Sequence, residues 1–433
     1  MKKIIGSIAV ISVLIVSCKN NANRPEPVVP AVTDTVKKTV TAVPLAAPFA
    51  TPSVKKYSQV EGWPKGKVPT VSAFLQVTLF ADSLDNPRWI YVADNGDIFV
   101  AEANSAHSTL EKITGKNKNK DDIILLRDTN GDGRADDRTV FLKDLNKPFG
   151  MLAMNNQFYV ANTDAVVSYP YFAGAAAITA RGKKILDLPG GPRHWTRNLI
   201  TNADHSKIYV SVGSSTDHGE NGPDKEKRRA CILEITPDGN NEKIFASGLR
   251  NPVGMDWLPG TNELWSVVNE RDELGDELVP DYLTSVTEGN FYGWPWLYYG
   301  NHPDPRVKDY KQPAPSTVAT MPDLSLENHT ASLGLKFYTG NKLPAHYKGG
   351  AIITQHGSWN KSTLAGYKVI FVPFKDKRPS GPAEDFVTGF IDDPATAKVF
   401  GRPVGIAIAK DGAVLIADDA SGKIWRVTEK VQE

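Results

Sequence analysis

Five cations stand at or just ahead of apolar runs that look alike. They are Arg88 in Asn86-Pro87-Arg88-Trp89-Ile90, Lys147 in Lys147-Pro148-Phe149-Gly150-Met151, Arg197 in Arg197-Asn198-Leu199-Ile200, Arg250 in Arg250-Asn251-Pro252-Val253-Gly254-Met255, and Arg402 in Arg402-Pro403-Val404-Gly405-Ile406. Cations gathered round one axis repel one another, so such a set is expected to take an anionic guest. Guanidinium forks pair with carboxylates at two points, which suits a small planar polycarboxylate. A second group of residues has a different spacing. Asp128-Thr129-Asn130-Gly131-Asp132-Gly133-Arg134-Ala135-Asp136 puts side-chain oxygens at alternate positions and follows them with a glycine turn. Hard cations such as Ca²⁺ take oxygen ligands in this alternation, so Asp128, Asn130, Asp132 and Asp136 are candidate ligands. Its twelfth position is Thr139 rather than Glu, which leaves an Asp/Gly hairpin turn without metal as the alternative.

Each cation opens a unit that recurs to the end of the chain: an apolar run, a polar turn, and a second apolar run. The second halves are Ile98-Phe99-Val100-Ala101-Glu102, Phe158-Tyr159-Val160-Ala161-Asn162, Ile208-Tyr209-Val210-Ser211, Leu264-Trp265-Ser266-Val267 and Val414-Leu415-Ile416-Ala417-Asp418. A less regular unit, Ser332-Leu333-Gly334-Leu335 followed by Gly350-Ala351-Ile352-Ile353, completes the set of six. Each unit reads as a hairpin, and recurrence at intervals of roughly 50–80 residues is the signature of radial repetition. The expected fold is therefore all-β, a six-bladed β-propeller with four-stranded antiparallel blades over residues 69–433. In a propeller the first strand of each blade lines the axial channel, so the residues just before it sit together at one mouth.

The chain of 433 residues is 41% hydrophobic with a net charge of +1, which predicts a folded body with no global affinity for nucleic acid. Lys2 and Lys3, an apolar run from Ile4 to Val16, and Ser17-Cys18 resemble a lipoprotein signal peptide over residues 1–18 with Cys18 at a lipobox. This implies an exported lipoprotein held on the membrane by its lipid anchor alone, and Lys19 after the cysteine points to the outer membrane, facing the periplasm. Residues 19–68 carry Pro25, Pro27, Pro30, Pro44, Pro48 and Pro52 and read as an extended tether. Cys231 is then left without a partner and is expected to pack as a small buried hydrophobe.

Three segments in order make a resemblance specific: Gly248-Leu249-Arg250-Asn251-Pro252-Val253-Gly254-Met255, Asn269-Glu270-Arg271-Asp272-Glu273-Leu274-Gly275-Asp276, and Gly289-Asn290-Phe291-Tyr292-Gly293-Trp294-Pro295. With Gly190-Gly191-Pro192-Arg193-His194-Trp195, Gln355-His356-Gly357-Ser358-Trp359-Asn360 and Phe400-Gly401-Arg402, the chain resembles the PQQ-dependent sugar dehydrogenases, in particular the sorbosone dehydrogenase branch. The resemblance implies oxidation of a sugar hydroxyl or sugar aldehyde by hydride transfer to PQQ held by Ca²⁺. It makes His194 the general base and Arg250 the cation facing the charge that develops on the quinone. It places Arg197, Arg250, Asn251, Glu270, Arg271, His329, Lys361 and Arg402 around the cofactor, with main-chain carbonyls of Arg271 and Asp272 on Ca²⁺. The sequence departs from the family at Val212-Gly213-Ser214, where an Asp is expected to orient the base, so Asp217 and Glu220 are the substitutes. His107, His205, His218, His302 and His346 lie in polar runs and read as surface residues. Two alternatives stay open: a calcium-dependent lactonase propeller, and a propeller that binds glycans or proteins without catalysis.

Overall fold

The computed structural model describes residues 44–103, 121–307 and 318–431. The signal segment with Cys18, and residues 19–43 of the expected tether, lie outside them. Among the described residues regular structure is strand apart from two short 3₁₀ turns, and no helix is long and apolar enough to cross a membrane. The all-β expectation is met.

We label the strands that open the repeats β1 (Pro87–Val92), β2 (Met151–Met154), β3 (Leu199–Thr201), β4 (Pro252–Trp257), β5 (Ser332–Phe337) and β6 (Pro403–Ile408). Each begins an antiparallel sheet that runs up and down in chain order, as in β1, Ile98–Glu102, Asp122–Arg127 and Asp137–Leu142. The sheet begun by β5 gains Thr70–Val71 as a fifth strand. The sheet begun by β6 is completed by Leu75–Ala81, which pairs antiparallel with Lys423–Glu429, so the two ends of the body share one sheet.

Strand alternation explains how the sheets pack. Along Ile98–Glu102, Phe99 and Ala101 join a core with Phe149, Met151 and Phe158 of the next sheet, while Ile98 and Val100 join a core with Leu415, Ala417 and Ile424 of the last. The same two-sided use of each strand makes its residues apolar on both faces, which is why the runs lack polar alternation. The first strands also approach one another. A Cβ on Gly254 would lie 2.6 Å from Leu335 N, one on Gly334 2.6 Å from Val404 O, and one on Gly405 2.7 Å from Arg88 O. Asn198 Nδ2 donates to Val253 O at 2.9 Å, and Ala153 N donates to the Tyr91 hydroxyl at 3.0 Å. These glycines allow backbone-to-backbone contact that a side chain would block.

Residues 44–68 depart from the tether reading. Gln59–Val60 pairs parallel with Lys398–Val399, and Trp63 packs on Phe390, Phe400 and Trp425. Prolines forbade regular structure there, but they did not forbid docking by isolated main-chain bonds. Cys231 is free and buried between the second and third sheets, as its apolar context predicts.

Candidate active site

His194 sits in the loop before β3, in the left-handed region with φ 40°. Two guanidinium groups hold that loop. Arg197 Nη1 donates to the His194 carbonyl at 2.7 Å and Nη2 to Pro189 O at 2.6 Å, while Arg229 donates to Pro189 O at 2.8 Å and to Gly190 O. Arg197 is fully buried, and burial with Arg229 beside it pushes its pKa down to about 9. Gly213 lets the following turn pass between Asn251 and His194, since a Cβ there would lie 2.6 Å from the His194 Cβ.

Hydrogen-bond inventory fixes the tautomer of His194. Ser214 Oγ gives its only hydrogen to Thr216 O at 2.7 Å, so it can only accept from His194 Nδ1 at 2.8 Å. Ser214 O, 3.1 Å from the same nitrogen, is likewise an acceptor. Nδ1 therefore carries the proton, and Nε2 keeps its lone pair. Burial, reinforced by the Arg250 charge, holds the imidazole well below its ordinary pKa, so it is neutral at pH 7. Asp217 lies on the other side of the ring, with Oδ1 4.0 Å from Nε2. Ser214, which the sequence reading passed over, thus takes the orienting place. Asp217 faces the lone pair instead, and Glu220 accepts from the amides of Asp217 and His218.

Arg250, in the loop before β4, is buried beside His194. Its Nε donates to Asp217 O at 3.0 Å, Nη1 to Glu270 O at 2.6 Å, and Nη2 to Asp272 Oδ2 at 2.6 Å. The Trp294 ring lies 5.7 Å from the guanidinium carbon. Burial alone would raise the Asp272 carboxyl, but Arg250 and His329 hold it below the usual carboxylate range. His329 donates one nitrogen towards Gly275 O at 2.9 Å and turns the other to Asp272 at 3.5 Å. Beneath them Asp281 accepts from Glu270 N at 3.0 Å, Ser332 N at 2.9 Å and the Thr330 hydroxyl at 3.0 Å, tying this loop to β5. Burial pushes Asp281 up to about 6.

A second cluster forms where β1 and β6 begin. Asp419 pairs with Arg88, lies 3.5 Å from Arg402 Nε, and is 3.0 Å from His356 Nε2. Burial would raise Asp419, and the three neighbours together lower it far below the usual range. Burial brings His356 down to about 4 against the opposing pull of Asp419. Trp195 lies 5.3 Å from the Arg88 guanidinium and 5.7 Å from the Lys147 ammonium.

This cluster sets a pH dependence of stability. The folded pKa of His356 is below its unfolded value, so between about 6.5 and 4 the unfolded chain binds more protons. Stability is therefore lost as pH falls through that window, by at most about 3 kcal/mol from this one group. Depressed Asp419 and Asp272 act at lower pH, where protonation removes stability present above the ordinary carboxylate pKa. Asp281 and Glu102, held above the ordinary carboxylate pKa by burial, act in the opposite sense over the same range, so the test is a difference: from pH 7 to pH 4.5 the Tm of wild type should fall relative to that of His356→Gln. An unchanged slope in that variant would remove His356 from the explanation.

The structure brings together only part of the predicted set. Arg250, Asn251, His194, Asp272 and His329 converge, and Arg402 lies with Arg88 and His356. Arg197 turns its two Nη groups to carbonyls of the His194 loop, and its Nε is buried without a hydrogen-bond partner. Glu270 and Arg271 pair with each other at 2.9 Å, and Arg271 reaches Asp304 at 3.1 Å, so their side chains are used inside the wall. The Asp272 carbonyl accepts from Arg306 at 2.8 Å. Lys361 is buried, with its nearest carboxylate, Glu277, at 3.9 Å. The argument from mutual repulsion needs correction, because Asp272 and Asp419 already offset most of the charge of Arg250, Arg88 and Arg402.

The Asp128–Asp136 loop is exposed and folds on itself. Asp128 accepts from the amides of Gly131 and Gly133, and Asp136 from those of Thr129 and Asn130. Among the described residues no group of three or more His, Cys, Asp or Glu is placed to hold a metal ion. Of the surface histidines, His218 and His346 lie beside carboxylates as the polar runs suggest, and His107 is outside the described residues.

Comparison with known proteins gives a family. The TrAA12-like family model matches residues 69–290 and 306–430. An uncharacterized protein of Borreliella burgdorferi is 28% identical over 374 residues, covering 83% of this chain and 90% of that one. Among solved structures, the calcium structure of a Trichoderma reesei carbohydrate-active enzyme of family AA12 matches with TM-score 0.68 and 18% identity, over 86% of this chain and 98% of that one. The holo form of the pyranose dehydrogenase PQQ domain from Coprinopsis cinerea matches with TM-score 0.67 and 19% identity, over 86% of this chain and 100% of that one. At such identity the likeness to solved structures is one of fold.

Proposed function

Because this chain belongs to the TrAA12-like family, we propose that it is a PQQ-dependent sugar dehydrogenase on a six-bladed propeller, oxidising a sugar hydroxyl or a sorbosone-type sugar aldehyde. The propeller reading is supported by first strands that neighbour one another in chain order, with β6 against β1. The observation that carries the chemistry is a half-buried neutral imidazole whose lone pair lies on the side of Asp217 and Arg250.

The polar groups at this end fit an anionic, multiply hydrogen-bonding guest. Arg88 Nε, Arg402 Nε, Asn251 Oδ1 and Asn360 Nδ2 are buried without a hydrogen-bond partner. PQQ, when bound, supplies the acceptor for the hydride leaving the sugar carbon. Arg88, Arg402 and Lys361 would hold its carboxylates, and Asn251 one of its polar edges. His194 Nε2 takes the proton of the sugar hydroxyl, or of one hydroxyl of the hydrated aldehyde, as the C–H bond breaks, and Asp217 stabilises the imidazolium that results. Arg250, fixed by Asp217 O, Asn269 O, Glu270 O and Asp272, presents positive charge without reorganising. Ca²⁺ belongs to the same reading. With no side-chain metal cluster among the described residues, it would rest on main-chain oxygens such as that of Arg271 and on the cofactor itself.

The reading also includes export as a lipoprotein anchored through Cys18 to the outer membrane.

The test is to incubate the purified apoprotein with PQQ and Ca²⁺ and follow dye reduction with aldoses and sugar aldehydes. Turnover that requires PQQ is expected. Lactone hydrolysis without PQQ would favour the lactonase alternative, and neither activity would favour a binding propeller.

A further inference from the structure

Residues 49–63 precede the stretch that the family model matches, which begins at residue 69, yet they bind three loops that carry site residues. At the first loop Phe49 N donates to Leu274 O at 2.8 Å, and Ser53 Oγ accepts from Gly275 N at 2.9 Å. Lys55 pairs with Glu273 at 2.8 Å. Gly275 has φ 117°, and a Cβ there would lie 2.8 Å from Thr51 O, so the segment can approach this closely only over glycine. At the second loop Lys56 N donates to Trp359 O at 2.8 Å, and the Tyr57 ring lies parallel to Trp359 at 6.0 Å. At the third, Trp63 Nε1 donates at 2.8 Å to Oδ2 of Asp418, the last residue of the strand Val414–Asp418 that leads into the loop.

Each contact lies one step from a group assigned to the site. Gly275 O is the acceptor for His329, which faces Asp272 and through it Arg250. Trp359 precedes Asn360 and Lys361 in the chain. Asp418, fully buried, accepts from Arg402 N at 2.8 Å through its other oxygen. The three loops follow the second strands of three different sheets, those begun by β4, β5 and β6. Sheets that meet through apolar cores can shift slightly against one another. A guest gripped from all three needs their spacing fixed beforehand, because ordering the loops on binding would cost affinity.

We propose that residues 49–63 form a strap that sets the spacing of these loops, and that Ser53 and Trp63 are positioning residues for the cofactor site. The proposal rests on the PQQ reading above. Neither residue touches the guest. Both act through the loops that do.

The experiment is PQQ titration into full-length apoprotein with Ca²⁺, alongside Tm, for wild type and four variants. Trp63→Phe keeps the ring in its aromatic nest and removes the indole N–H. Ser53→Ala removes the acceptor for Gly275 N, and Ser53→Thr restores a hydroxyl. Trp257→Phe is the matched control: it removes an indole N–H given to Thr201 O at 2.7 Å, at the opposite end of the first strands. Loss of one hydrogen bond that acts on the site should raise the PQQ Kd about fivefold to tenfold in Trp63→Phe, with a smaller rise in Ser53→Ala. Ser53→Thr and Trp257→Phe should bind as wild type does, although Trp257→Phe should lose comparable Tm. Kd values for Trp63→Phe and Ser53→Ala within about twofold of wild type, with Tm lowered, would reduce the strap to plain structure and overturn the proposal. If wild type itself fails to bind PQQ, the cofactor reading falls and the strap's role in it falls with it.

Discussion

His194→Ala is expected to lower kcat by about 10²–10⁴-fold, the ordinary contribution of a positioned general base. The loss should fall on kcat and kcat/KM alike, because the proton moves only in the transition state. PQQ affinity should change little, since the imidazole is held by Ser214 and not by charges shared with the cofactor. The pH dependence gives an independent check. The ring is neutral above a pKa well below the ordinary one, so the acid limb of kcat/KM should lie well below pH 6.5. Ser214→Ala tests the tautomer. It removes the Nδ1 partner but leaves the Ser214 carbonyl, so a smaller loss, recovered in part by Ser214→Thr, is expected. A fall of less than about tenfold in His194→Ala would move the base to another residue, and Asp217 would be examined next.

Arg250→Ala is expected to damage both stability and function. The guanidinium is buried against Asp272, and removing one member of a buried pair costs about 3–5 kcal/mol because the other charge is left behind. Adding Asp272→Asn should recover much of that stability and none of the turnover, which separates folding from chemistry. Arg250→Lys retains charge but cannot serve Asp217 O, Glu270 O and Asp272 together in one plane. It should fold, bind PQQ more weakly, and lose rate beyond its loss of affinity. Equal turnover by Arg250→Lys and wild type at saturating PQQ would mean that the fork itself has no role in the reaction.

The parts of this account legible in the sequence were those set by short-range pattern. Paired apolar runs around Asp-Gly and Asn-Asn turns gave the hairpins, and glycine just before β2 and inside β4, β5 and β6 lies where first strands touch. Arg250-Asn251 and His194 were readable because each belongs to an ordered series of motifs. What stayed hidden depends on partners far along the chain. Asp419 meets Arg88 across 331 residues, so a list of cations overstated the positive charge at the site. Arg197 looked equivalent to Arg250 by position, but its loop turns it towards carbonyls at Pro189 and His194. Ser214 was read as a missing Asp, yet the glycine before it already signalled a turn packed against another side chain. Residues 44–68 looked like a tether because their bonds reach loops more than 200 residues away, as with Ser53 and Gly275. The Asp128 loop shows the converse. Its spacing suits a cation, and the same spacing suits carboxylates that cap their own turn.

The most direct test of the central claim is an anaerobic single turnover without dye. Apoprotein is loaded with one equivalent of PQQ in the presence of Ca²⁺, an aldose or sugar aldehyde is added, and the absorbance of the bound quinone is followed. Saturable loading and loss of the oxidised-quinone spectrum on adding sugar are predicted, with one sugar oxidised per PQQ and a rate lowered by His194→Ala. A wild-type protein that does not bind PQQ saturably, or whose bound PQQ stays oxidised against every sugar tried, would contradict the account.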